Sequence, residues 1–317
     1  TKSVTPGARM TPMIRSRLSA APPRTAPLAV TTVLLALLGM FGPFSIDTPF
    51  PAFQSMGEDF EVSDASMQLV VSAYLGAFAL MSLFHGPLSD AIGRKPVMVT
   101  GAAVYALASI GCALSPSLPV LLAFRVLQGM SAGAGTIVSR TVVRDLFEGA
   151  RAQRLMSTIA MIFGIGPAIA PIIGGWLLLA GPWPLVFWFL SVFGAIIAIT
   201  VLILLPESHP PHLRTPLDVR SVLGGVVSVA RMPRFQLLSA ASALSFAGQF
   251  LYIGAAPIFI VTLLGLGEQD FWVFFVPMVA AGVVVGVIMS WIFNGDYGVV
   301  NNLLDALGLG RVPWLTA

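Results

Sequence analysis

The sequence predicts an all-α membrane protein, and three observations carry that prediction: its composition, the length of its apolar runs and the placement of its positive charge. Hydrophobic residues make up 56% of the 317 residues and charged residues only 10%, against roughly 25% charged in ordinary soluble domains. Runs of about 20 apolar residues, the length a helix needs to cross a ~30 Å hydrocarbon core, recur near 27–47, 67–86, 97–115, 118–139, 155–179, 184–205, 236–258 and 271–293. These are spans 1 to 8, about eight transmembrane helices.

Span 1 is long enough to remain as an anchor, so no cleavable signal peptide is expected. Ahead of it, residues 1–26 carry Lys2, Arg9, Arg15, Arg17 and Arg24. Arg94 and Lys95 follow span 2; Arg140, Arg144, Arg151 and Arg154 follow span 4; Arg214, Arg220, Arg231 and Arg234 follow span 6. The intervening connections hold no Lys or Arg, and two hold acid instead: Glu58, Asp59, Glu61 and Asp64 in one, Glu268 and Asp270 in the other. Excess Lys and Arg stay on the cytoplasmic side during insertion, which predicts a cytoplasmic N-terminus in a multi-pass protein of the cell membrane. The net charge of +3 is therefore a topology signal, and no nucleic-acid partner is expected. The single cysteine, Cys112, rules out an intramolecular disulfide. No metal-ligand cluster, nucleophile–base set or phosphate-binding glycine loop is present in the sequence, so neither enzyme activity nor a cofactor is expected.

Spans 2 and 3 are joined by Gly86-Pro87-Leu88-Ser89-Asp90-Ala91-Ile92-Gly93-Arg94-Lys95, a charged, glycine-bounded run. So few residues between two spans predict adjacent antiparallel helices, with charges able to hold the pair in one conformation. Within span 4 lies Arg125, the only Lys or Arg inside an apolar run, in the sequence Arg125-x-x-Gln128-Gly129. A cation there costs at least ~2.5–3.5 kcal/mol on insertion scales, so it is expected to face protein or water and to have a partner. Asp47 closes span 1 ahead of Pro49 and is the only carboxylate bordering it. It reads either as a cavity carboxylate or as an interfacial residue ending the helix, and Arg125 either as a cavity cation or as a structural one. Span 5 contains Gly164, Gly166, Pro167, Ala170, Pro171, Gly174 and Gly175. Gly166, Ala170 and Gly174 recur every four residues as a smooth stripe for close helix packing, and the two prolines favour a bend.

These motifs resemble the major facilitator superfamily of secondary transporters. The loop G-x-L-x-D-x-x-G-R-K is similar to the family's loop between helices 2 and 3, Arg125-x-x-Gln128-Gly129 to its helix-4 motif, and the span 5 stripe to the helix-5 signature of its antiporters. Ile46-Asp47-x-x-x-Pro51-Ala52, Val143-Arg144-Asp145-Leu146-Phe147 and Ala170-Pro171 narrow the resemblance to drug exporters of the bicyclomycin/chloramphenicol-resistance type, over about residues 27–270. Ala91, Pro184 and Pro49-Phe50 depart from that pattern.

The resemblance implies a major-facilitator-like helical bundle in a bacterial inner membrane, working as a drug:proton antiporter by alternating access. Its partners would be a small amphipathic substrate, protons and the bilayer. Asp47 would sense the proton with Arg125 as its buried electrostatic partner. Gln128, Gln249 and Tyr252 would add polar contacts in the cavity, the last two being open to a helix-packing reading. Gly86, Asp90, Gly93, Arg94 and Lys95 would belong to a cytoplasmic gate. His85, beside it, reads as interfacial.

The domain reading is an N-terminal segment 1–26, a first six-helix half 27–205, a Pro- and Arg-rich cytoplasmic linker 206–235, the start of a second half 236–272, and a tail 273–317. Such halves are built from inverted three-helix repeats. The chain starts at Thr1 and holds only two helices of the second half, so a trimmed, truncated transporter is expected, needing self-association or a separate second half. The tail resembles an internal segment of ABC-type sugar-importer membrane subunits, and reads as a chimaera, a rearranged gene or an assembly artefact. A non-transporting remnant is the alternative function, and an ABC permease fragment a weaker one.

Overall fold

The computed structural model describes residues 28–267, 270–292, 298–308 and 310. The predicted N-terminal segment, Glu268 and parts of the predicted tail lie outside the described residues. Among the described residues the chain is helical, without a strand.

Span 1 is built in pieces: α1 (Leu28–Gly39), α2 (Phe41–Asp47), a 3-10 turn (Phe50–Ala52) and α3 (Phe53–Asp59). Together Val30–Asp59 make one membrane-length segment, so it continues past 47, where the sequence predicts its end. Pro43, Pro49 and Pro51 each lack an N–H and interrupt the helical ladder, yet every residue of α2 is buried. Burial against neighbouring helices carries the broken segment onward, and Asp47 stands inside it.

The next helix, α4 (Asp64–Ile92), starts at Ser63, whose side chain accepts the Ser66 N–H at 3.3 Å; Asp64 complements the helix dipole in the first turn. It continues through Pro87 to Ile92 and stops at Gly93, whose φ of 114° is open to glycine. The predicted ten-residue connection is thus a single residue between α4 and α5 (Arg94–Ala113). Hydropathy falls at residue 86, but helical hydrogen bonding continues for two more turns.

Three long helices follow: α6 (Leu118–Leu146), α7 (Gly149–Ala180) and α8 (Pro184–Leu204). The predicted linker contains a short exposed helix, α9 (Val219–Ala230). At the predicted spans 7 and 8 stand α10 (Pro233–Pro257), prolonged by a π-helical turn (Ile258–Leu263), and α11 (Trp272–Ile292); α12 (Val299–Ala306) comes last. Among the described residues six helical segments, from Val30–Asp59 to α8, are long and apolar enough to cross a membrane.

In the bundle, α4 packs along α6, α5 along both α6 and α8, and α7 along α1, α2 and α11. Small residues permit these approaches. A Cβ on Gly166 would lie 2.6 Å from the Pro43 ring, and one on Gly174 would overlap the Thr48 carbonyl oxygen. The stripe on α7 therefore seats α7 against the broken first segment. On the outside, Leu107, Trp176, Leu179 and Ile203 are exposed, as lipid-facing side chains are in a bilayer.

Candidate functional site: a cavity, a buried arginine network and a charged clamp

A cavity of about 630 Å³ opens between α2, α4, α6, α7 and α10. Its wall is largely apolar and aromatic: Tyr74 and Phe78 from α4, Phe163 and Pro167 from α7, Phe246 and Phe250 from α10. The charged residues among its described lining are Asp47 from α2 and Arg140 from α6. Asp47 is only 2% exposed and lies within the membrane-length segment Val30–Asp59 rather than at its end, and among the described residues it forms no ion pair.

Arg125, fully buried, lies elsewhere on α6. Its Nε donates to the Val70 carbonyl oxygen of α4 at 3.0 Å; Nη1 donates to the Ser45 carbonyl oxygen of α2 at 2.9 Å and to Gln128 Oε1 at 2.6 Å. The guanidinium also sits 4.6 Å from the Tyr74 ring centroid, a cation–π contact. Nη2 has no hydrogen-bond partner among the described residues. Gln128 Nε2 donates to Ser109 Oγ at 2.7 Å, and Ser109 Oγ donates to the Tyr105 carbonyl oxygen at 2.8 Å. Tyr105 Oη and Ser45 Oγ share a hydrogen bond of 2.6 Å, and Ser45 Oγ also bonds the Phe41 carbonyl oxygen. One polar network therefore ties α2, α4, α5 and α6 together in the membrane interior.

This corrects the expected Asp47–Arg125 pair. Arg125 is held by backbone oxygens and Gln128 rather than by the carboxylate, and neither Arg125 nor Gln128 lines the cavity. Arg125 stands behind the wall, its guanidinium against the Tyr74 ring that lines the cavity. The buried stretch of α2 supplies carbonyl oxygens at that level, an acceptor set with no residue-type signature. Gln249 and Tyr252 belong to α10, and their side chains lie outside what the structure describes. His85 is 2% exposed and packs against Gly133 of α6.

At the other end of α4 and α5 a charged clamp closes around Gly93. Arg94 pairs with Asp90 one turn earlier and with Asp145 of α6 at 3.1 Å, and its Nη1 donates to Ser89 Oγ at 2.6 Å. Glu207, just beyond α8, accepts the Arg94 and Lys95 backbone N–H groups at 3.0 and 3.3 Å. Those are the first donors of α5, whose own N-cap, Gly93, has no side chain to offer. A carboxylate 113 residues away therefore caps the helix and complements its dipole. The clamp closes further through Ser208, which donates to Asp145 at 3.0 Å, and Thr215, whose N–H donates to the Asp90 carbonyl oxygen at 3.3 Å. A Cβ at Gly93 would meet Glu207 at 2.6 Å and Arg214 at 2.8 Å. Gly86 faces open space.

Asp145, Glu207 and Ser208 carry much of this clamp and were not among the residues the sequence singles out for the gate. The readable signal was Glu207 itself, an acid immediately after span 6 in a linker otherwise dominated by Arg. Replacing it tests the cap. Glu207→Gln leaves one acceptor oxygen for three N–H groups, since the His209 N–H also donates to Glu207. We expect a loss of about 1 kcal/mol and faster hydrogen exchange at the Arg94 and Lys95 amides. Unchanged exchange there would remove the cap from the account.

Comparison with known proteins places these features. The family model described as the Major Facilitator Superfamily matches residues 35–310. It runs across most of the predicted tail, so the resemblance of that tail to an ABC subunit gains no support. The chain is 30% identical over 241 residues to a bicyclomycin resistance protein homolog of Haemophilus influenzae, covering 76% of this chain and 61% of that protein. It is 32% identical over 195 residues to multidrug resistance protein D of Escherichia coli, covering 61% and 50%. It thus matches less than two thirds of the length of either relative. A crystal structure of a bacterial homolog of the human lysosomal transporter Spinster, inward-facing and unoccupied, superposes with a TM-score of 0.66 at 20% identity, covering 85% of this chain and 64% of that one.

Proposed function

The chain belongs to the Major Facilitator Superfamily, and on that premise we propose that it exports small amphipathic compounds in exchange for protons. One observation carries the reading: a buried carboxylate, Asp47, stands on the wall of an aromatic cavity with no cation among the described residues paired to it. Aromatic faces suit the apolar body of such a substrate. A lone buried carboxylate changes the cavity's charge by one unit when it gains or loses a proton, so proton and substrate compete for one state of the site. The relatives' names, resistance to bicyclomycin and to multiple drugs, support the same cargo class.

Arg125 acts here as a positioning residue. Its bond to the Ser45 carbonyl oxygen holds the backbone two residues before Asp47, and its Nη2, without a partner among the described residues, is a donor in reserve for another state of the cavity. The clamp around Gly93 ties the ends of α4, α5 and α6 to the segment after α8, so these helices rock as one body around the cavity, as alternating access requires. We place the N-terminus and the clamp in the cytoplasm, on the arginine-rich side, in a bacterial inner membrane. Helices α10 and α11 begin the second, moving half.

The test is flux. The full chain is reconstituted in liposomes with a pH gradient and a lipophilic cationic dye. Dye movement against a counterflow of protons, collapsed by a protonophore, is expected. Helical, inserted protein that moves neither dye nor protons together would overturn the proposal.

A further inference from the structure

A second cavity, of about 450 Å³, lies between the ends of α6 and α7 beside the clamp. Arg140 and Arg144, one turn apart on α6, line it with Gln153 of α7; Ala152, Met156, Ile159 and Ala160 form the rest of the α7 wall. Among the described residues neither arginine forms an ion pair. The nearby Asp145 is engaged by Arg94 and Ser208, and no carboxylate lines the cavity. Among the described residues, two exposed guanidiniums with no carboxylate partner therefore border an open groove larger than a simple ion needs. The polarity is graded as well. From Gln153 to Ala160 the wall descends about 10 Å along α7, from the charged end toward the membrane interior, and changes from polar to apolar.

We propose that this cavity is a binding site for an anionic phospholipid of the cytoplasmic leaflet, its phosphate bridging Arg140 and Arg144 and an acyl chain running along Met156 and Ala160. Basic pockets between membrane helices on the cytoplasmic side suit such headgroups, and forked guanidinium donors match phosphate oxygens. A free phosphate would use the arginines but leave the apolar wall without a role. Arg140 also borders the large cavity. A bound phosphate would neutralise that cation and leave Asp47 as the uncompensated charge there, favouring cationic cargo. The inference uses the membrane placement given above but does not depend on transport.

The experiment is native mass spectrometry of the full chain in detergent, titrated with phosphatidylglycerol, phosphatidylcholine or inorganic phosphate. The native chain is expected to retain phosphatidylglycerol at least tenfold more tightly than phosphatidylcholine, and phosphate is expected not to displace it. Arg144→Gln should weaken phosphatidylglycerol about fivefold, and Arg140→Gln with Arg144→Gln about 25-fold, at roughly fivefold per arginine. Arg151→Gln with Arg154→Gln, outside the lining, should change it less than twofold. Equal retention of the two lipids by the native chain overturns the proposal, without reliance on any variant's folding. So does an equal loss in the Arg151/Arg154 variant, which would mark a diffuse basic surface. Displacement by phosphate would reassign the site to a free anion. Lipid retention is read without flux, so a transport-inactive chain leaves this test intact.

Discussion

Asp47→Asn is expected to abolish pH-driven exchange while leaving the protein inserted and folded. Asn has the shape of Asp but neither binds nor releases a proton in the relevant range, so the cavity keeps one charge state throughout the cycle. Because Asp47 forms no ion pair among the described residues, the substitution breaks no salt bridge, and neutralising an unpaired buried charge costs the fold little. Coupled dye and proton flux should fall to the level of empty liposomes, whereas dye binding to the detergent-solubilised chain should persist and become independent of pH. A variant that still exchanges drug for protons at the native rate would show that the coupling carboxylate is another residue. A variant that fails to insert would instead mark Asp47 as structural.

Beside one at Gly174, Gly129→Ala should be among the most damaging single-methyl substitutions in the bundle. Its Cβ would overlap the Tyr74 carbonyl oxygen and come within 3.0 and 3.1 Å of the Tyr74 carbonyl carbon and Cα. Those atoms are backbone in the middle of α4, so relief requires the two helices to part. Arg125, one turn before Gly129, is bonded to Val70, one turn before Tyr74. Separation would therefore also stretch the arginine network. Overpacking in protein interiors costs typically 1–3 kcal/mol, and an obstacle of backbone points to about 3 kcal/mol. The control is Gly76→Ala on α4, where an added Cβ meets nothing within 4 Å and a small gain from reduced chain entropy is expected. Melting of the two variants in detergent separates them; equal midpoints would mean that the α4–α6 seam does not limit stability.

The arginine network and the clamp differ in how far the sequence reveals them. That Arg125 must be satisfied follows from its position inside an apolar run, because lipid offers it no hydrogen bonds. Its acceptors do not follow, since two of the three side-chain bonds end on backbone oxygens of α2 and α4, and every residue has a carbonyl. The same limit hides the cap on α5. Gly93-Arg94 announces a helix start with no local cap, but Glu207 is supplied from across the bundle. Asp47 reads as a helix end because Pro49 follows it; its burial depends on α7, whose Gly174 lets the Thr48 backbone approach closely.

From sequence alone came the membrane class, the order of the long helices, the small-residue stripe of α7 and the family resemblance. All of these rest on local properties. A bilayer core supplies no hydrogen bonds, so each crossing segment must satisfy its own backbone, and the length and apolarity of that segment record the fact in neighbouring residues. Only the tertiary structure decided that Asp47 faces a cavity, that Arg125 serves the backbone, that Gly93 alone separates α4 from α5, and that Arg140 and Arg144 border a common groove. Those outcomes depend on where distant helices bring their polar atoms, and inside a membrane each such group settles on whichever acceptor packing delivers to it.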